Sequence, residues 1–183
     1  METQDVNNRI VILDRDGVIN QDSTHYIKHP DEWQPIPGSL DAIALLHQNG
    51  YRIYIATNQA GIARGELTES RLKAIHEKMS SQVMQAGGKL SGIVYCPHHP
   101  DDHCKCRKPA PGMLHEIAAE SGVDITGTPY VGDSLKDIRA AEAAGCKPVL
   151  VLTGNGLETR KLRHNLEHVF ENLLAFAKDE ISL

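Results

Sequence analysis

Asp14 and Asp16 stand two residues apart in "LDRDGVIN" (13–20), directly after the apolar run Ile10–Leu13. Side chains at i and i+2 of an extended chain share a face. Two carboxylates held together repel each other unless a cation or a shared proton intervenes. A hard divalent ion such as Mg2+ meets that need, because it takes carboxylate oxygens and keeps positions for water or phosphate. A turn with both acids facing water is the plain alternative for so short a string. Three further strings weigh against that alternative. Thr57-Asn58 offers a hydroxyl and an amide for phosphoryl oxygens. Arg107-Lys108 supplies two cations suited to phosphate. Gly132-Asp133-Ser134 adds a third carboxylate, with Asp137 one helical turn on.

A second constellation lies in "CPHHPDDHCKCRKP" (96–109). Cys96, Cys104 and Cys106 with one imidazole from His98, His99 or His103 would complete a closed tetrahedral zinc site of the structural kind. Those ligands directly precede Arg107-Lys108, so a metal clip would hold the two cations where a free loop would wander. A reduced, metal-free loop is the alternative. A Cys104–Cys106 disulfide is disfavoured in a reducing compartment.

Chemistry of this kind needs a scaffold that gathers distant strings. Apolar and β-branched runs predict strands at 10–13, 51–57, 91–96, 129–132 and 148–153. Helical spacing predicts helices at 39–50, 68–88, 111–122 and 134–145. Gly50, Thr68 with Glu69, Gly87-Gly88, and Pro111 with Gly122 supply stop and start signals for the first three. Weaker helical turns are expected at 157–162 and 170–179. The alternation predicts an α/β fold: one domain over 1–183 with a Rossmann-like parallel sheet and helices on both faces. Ligands of such sheets sit beyond the carboxyl ends of the strands. Asp14 and Asp16, Thr57-Asn58, and Asp133 each fall just after a strand. Residues 20–38 are too few for a substantial cap, so the site is expected to be open. Asp22, Tyr26, Arg64 and Arg107 are the candidates for sugar hydroxyls or a second phosphate. Trp33 is assigned to the core, and His47, His76, His115, His164 and His168 receive no role.

The chain has 183 residues, 40% apolar and 23% charged, which suits a soluble globular protein. Its net charge of −5 leaves no electrostatic footprint for nucleic acid or an anionic membrane. The polar N-terminus lacks the apolar core of a signal peptide, and no run approaches a membrane span. A cytoplasmic protein acting as a monomer is expected.

The strings "DRDGVIN", "TNQAGIARG", "CRKPAPGM" and "VGDSLKD", in that order, resemble the four motifs of the haloacid dehalogenase superfamily of phosphatases. Within it, the longer strings and the Cys/His loop resemble the heptose-bisphosphate phosphatases, with histidinol-phosphate phosphatases as the alternative. The resemblance implies Asp14 as nucleophile and Asp16 as general acid and base. It implies Mg2+ held by Asp14, the backbone carbonyl of Asp16, and Asp133. Lys108 and Thr57 would hold the phosphoryl group, and Asp137 would orient Lys108 or a metal-bound water. It also selects His98 as the zinc imidazole, and it implies a phosphorylated sugar as substrate in carbohydrate metabolism that feeds bacterial surface polysaccharide. A non-catalytic sugar-phosphate-binding module, the reading from another class, would lack one of Asp14, Asp16, Lys108 or Asp133.

Overall fold

The computed structural model describes residues 9–182. Six strands form one parallel sheet: β1 (Ile10–Leu13), β2 (Arg52–Asn58), β3 (Gly92–Cys96), β4 (Pro129–Gly132), β5 (Lys147–Val151) and β6 (Val169–Phe170), in the order β3-β2-β1-β4-β5-β6. Helices α1 (Ser39–Gln48), α2 (Glu69–Gln85), α3 (Gly112–Ser121), α4 (Leu135–Ala144), α5 (Gly156–Leu162) and α6 (Leu173–Glu180) complete the α/β architecture.

Alternation along the strands sorts side chains to the two faces. Val11, Leu13, Ile53 and Ile55 pack with Ile43 and Leu46 of α1, Leu72 and Ile75 of α2, and Phe176 of α6. Ile10, Ile12, Tyr54 and Tyr130 pack on the other face with Met113, Leu114 and Ile117 of α3 and Ala141 of α4. All four residues of β1 are buried, as a central strand covered on both faces requires.

Register sets the site. Leu13 pairs with both Ile55 and Val131, so Asp14, Thr57 and Asp133 emerge at one edge of the sheet. Asn58 pairs with Cys96, which places the start of the Cys/His loop beside Thr57-Asn58. Chain order reverses between β1 and β4, the crevice where sheets of this type take their ligands.

The weaker helical region expected at 170–179 divides differently. Val169–Phe170 forms a sixth strand on β5, and α6 begins only at Leu173, where Asn172 Oδ1 accepts from Ala175 N at 2.9 Å. Two residues are too few to show a period of two. Residues 20–38 carry one short 3-10 helix, Pro30–Glu32, and Trp33 lies fully buried in the core. Among the described residues no helix is long and apolar enough to cross a membrane.

Candidate active site

The loop after β1 turns sharply. The carbonyl of Arg15 accepts from the amides of Val18, Ile19 and Asn20, and Gly17 adopts φ +81°. A Cβ at Gly17 would lie 2.1 Å from Asp133 Oδ2, so only glycine lets this loop close on β4. Gly154 closes the same carboxylate from the other side, where a Cβ would come within 2.2 Å of Asp133 Oδ2.

Lys108 sits at the centre. Its ammonium lies 2.8 Å from Asp14 Oδ1 and 2.7 Å from Asp137 Oδ1, and it donates to the Ala56 carbonyl at 3.0 Å and the Tyr130 hydroxyl at 2.9 Å. Asn58 positions the backbone of Lys108: its Oδ1 accepts from Lys108 N at 3.1 Å, and its Nδ2 donates to Lys108 O at 3.2 Å. Burial opposes the charge on Lys108, yet Asp137 and Asp14 outweigh it and raise its pKa. Burial likewise opposes ionisation of Asp137, but Lys108 and the hydrogen bonds from Ser134 hold it low.

One carboxylate oxygen each from Asp14, Asp133 and Asp137 lies within 4.8 Å of the others. Asp137 is already committed: Oδ1 meets Lys108 and the Tyr130 hydroxyl, and Oδ2 accepts from Ser134 N and Oγ, capping α4. Asp133 Oδ2 accepts from Asn155 N at 2.7 Å and Asn155 Nδ2 at 3.1 Å. Among the described residues, Asp14 Oδ2 and Asp133 Oδ1 receive no hydrogen bond. Burial, then the charge of Asp137, raises Asp133 to about 7, and the same causes push Asp14 well above its ordinary value. Two crowded carboxylates with free oxygens fit a hard divalent cation.

The spacing predicts Asp14 and Asp16 as the crowded pair, and here the structure differs. The acids crowding Asp14 are Asp137 and Asp133. Asp16 turns instead to Arg15, whose Nη2 reaches Asp16 Oδ1 at 2.8 Å and Oδ2 at 3.0 Å. Burial alone would raise Asp16, but the Arg15 guanidinium and hydrogen bonds from Asn20 and Gln59 hold it below its ordinary value.

Asp14, Arg15, Asp16, Lys108 and Asp133 line a cavity of about 290 Å³, and its walls also carry Asp22, Tyr26, Thr57, Asn58, Arg64 and Arg107. All the candidate phosphoryl and sugar contacts thus share one space. Lys136, Ser134, Gln59 and Asn155 line it too, although their sequence context marks them only as helix or loop polar residues. Tyr130 reads as a core strand residue, and only the structure shows its hydroxyl against Lys108. A larger groove of about 990 Å³ between α2 and the edge strand β3 lacks any convergence of acids.

In the neighbouring loop, His98 joins the three thiols. His98 Nδ1 lies 3.5 Å from Cys96 Sγ and 3.2 Å from Cys106 Sγ, and the sulfurs lie 3.2–3.6 Å apart. The thiols are free of disulfides, and burial and neighbouring sulfurs push Cys106 up to about 12. His99 is engaged elsewhere, its Nδ1 accepting from Asp101 N to cap a short turn, while His103 lies outside the cluster. Four soft donors this close match a tetrahedral metal.

A HAD-hydrolase-like family model matches residues 105–176. The chain is 54% identical over 82% of its length to the D-glycero-beta-D-manno-heptose-1,7-bisphosphate 7-phosphatase of Bordetella bronchiseptica, covering 84% of that protein. It is 55% identical to the enzyme of that name from Pseudomonas aeruginosa, over 82% of this chain and 84% of the other. The crystal structure of the Bordetella bronchiseptica D,D-heptose 1,7-bisphosphate phosphatase with magnesium and phosphate superposes with a TM-score of 0.92 at 49% identity, covering 95% of this chain and 98% of that one. The fold, the order of the motifs and these similarities agree: the chain is a phosphatase of the haloacid-dehalogenase-like superfamily and belongs to its heptose-1,7-bisphosphate 7-phosphatase family.

Proposed function

We propose that this chain removes the 7-phosphate of D-glycero-beta-D-manno-heptose 1,7-bisphosphate through an aspartyl phosphate on Asp14. The observation that carries this reading is Lys108, buried between Asp14 and Asp137, with Asp14 and Asp133 lining one cavity. The activity and substrate by which the Bordetella bronchiseptica and Pseudomonas aeruginosa relatives are named support this choice of ester.

Mg2+ fits Asp14, Asp133 and the backbone carbonyl of Asp16, and when bound it offsets phosphoryl charge. Lys108, fixed by Asp137 and Tyr130, steers the phosphoryl group toward Asp14, and Thr57 and Asn58 contribute polar contacts at the same wall. An Asp14 carboxylate oxygen attacks phosphorus, and the bond from phosphorus to the sugar oxygen breaks. Asp16 gives its proton to that oxygen, then takes one from the water that attacks the aspartyl phosphate. Breaking the Asp14–phosphorus bond frees inorganic phosphate and restores the carboxylate. The negative phosphoryl group favours the protonated form of the adjacent Asp16. Asp22, Tyr26, Arg64 and Arg107 take the sugar hydroxyls and the remaining phosphate.

Cys96, His98, Cys104 and Cys106 hold a structural zinc ion, which keeps Arg107 and Lys108 in place. The reduced cysteines suit the cytoplasm. The enzyme acts as a monomer on a small phosphorylated sugar, and the net charge of −5 disfavours nucleic acid.

The specificity constants for heptose bisphosphate and histidinol phosphate test the assignment. At least a tenfold preference for the heptose ester is expected, and the reverse preference overturns it.

A further inference from the structure

The sequence shows Arg15 only as the residue between two acids, and His76 as an unassigned helical histidine. The fold joins them. Arg15 is 1% exposed, and Asp16 is its one carboxylate partner among the described residues. Arg15 Nε lies 3.1 Å from Asp16 Oδ1, and Arg15 Nη2 lies 3.0 Å from Asp16 Oδ2. The remaining terminal nitrogen, Nη1, meets Nε2 of His76 at 3.2 Å. Guanidinium has donors only, so His76 Nε2 must accept, and the imidazole must be neutral. Burial and the adjacent guanidinium favour that form, lowering His76 to about 3. The ring is fixed in turn by an edge-on contact with Tyr95 of β3, its centroid 6.0 Å away. A rigid helix therefore holds one end of a planar fork whose other end holds the Asp16 carboxylate, while Asp16 keeps 22% of its side chain open to the cavity.

We propose that Arg15, anchored by His76, is a positioning residue for Asp16: the His76–Arg15 pair fixes the direction in which the Asp16 carboxylate meets the leaving oxygen. A planar fork does this where a flexible ammonium cannot, because two parallel bonds define an orientation as well as a distance. Proton transfer by a placed side chain contributes about 10²–10⁴-fold, so tilting that side chain costs turnover more than binding. The proposal rests on the phosphatase reading above.

The test compares His76→Leu, which removes the acceptor, with His76→Gln, whose amide oxygen replaces it, alongside Arg15→Lys. Each metal-loaded variant is assayed with the heptose bisphosphate and with an aryl phosphate, whose leaving group needs no proton. His76→Leu and Arg15→Lys are expected to lose at least about tenfold in kcat for the sugar ester with KM within about twofold. The first-turnover burst of aryl alcohol, which precedes the step in which Asp16 acts as base, stays within about twofold of the parent, and His76→Gln recovers most of the sugar-ester rate. Unchanged sugar-ester turnover in His76→Leu and Arg15→Lys overturns the proposal. So does a first-turnover loss as large for the aryl ester as for the sugar ester, or no recovery with His76→Gln. If His76→Leu does not fold, the thermal melt shows it and Arg15→Lys decides. Failure of the parent chain to release phosphate from either ester would instead sink the phosphatase reading itself.

Discussion

At the scale of single residues, the site is a set of acids placed around one buried ammonium. Lys108 compensates Asp14 and Asp137 together, so removing it leaves both buried and unpaired. Lys108→Met is expected to lower folding stability by about 3 kcal/mol, read from denaturant unfolding, as well as to abolish phosphate release. Asp14→Asn should bind metal weakly and turn over no ester, because an amide is a poor nucleophile. In the first turnover, Asp16→Asn should lose about 10²-fold or more in release of the sugar and far less in release of an aryl alcohol. Equal losses in that first turnover would remove Asp16 from the role of proton donor.

At the scale of elements, the strand ends were the readable part. Asp14, Thr57 and Asp133 each follow an apolar run, and the register of β2, β1 and β4 brings them to one edge. The Cys/His loop was readable from four soft ligands within eleven residues, although the choice among three histidines rested on likeness to a family. Arg15, Gln59, Tyr130 and Asn155 were not readable. Alternation would send Arg15 to the face opposite Asp16, but the tight turn at Gly17 ends the extended backbone, and the guanidinium folds back on its neighbour. Tyr130 looks like strand core because nothing local reveals Lys108 reaching it from 22 residues away. β6 is not legible in the sequence because two residues carry no pattern. The element-scale prediction concerns the Cys/His loop. Stripping the proposed zinc with a chelator and then restoring Mg2+ should lower the melting temperature and raise KM, since Arg107 and Lys108 lose their support. A stripped protein with unchanged melting temperature and KM would show that the loop holds itself.

At the scale of the molecule, the sheet concentrates negative charge at its switch point, and folding stability should report it. Asp133 is raised from 3.8 to about 7, and Asp14 is raised as well. A group raised in the folded state contributes stability that is complete below its unfolded pKa and is lost as pH rises through its folded value. The metal-free protein should therefore lose stability between about pH 4 and 7 from these carboxylates. Mg2+ competes with protons for the same oxygens, so it should raise the melting temperature more at about pH 8 than at about pH 5. An equal or larger gain at the acid end would mean that the cation binds elsewhere. Every part of the mechanism converges on one covalent event, and that event can be caught. Acid-quenched turnover followed by borohydride reduction converts an aspartyl phosphate to homoserine, which peptide mass spectrometry locates. Homoserine at position 14, absent in Asp14→Asn and absent without substrate, is the predicted result; reduction at any other carboxylate, or none during rapid turnover, would contradict the account.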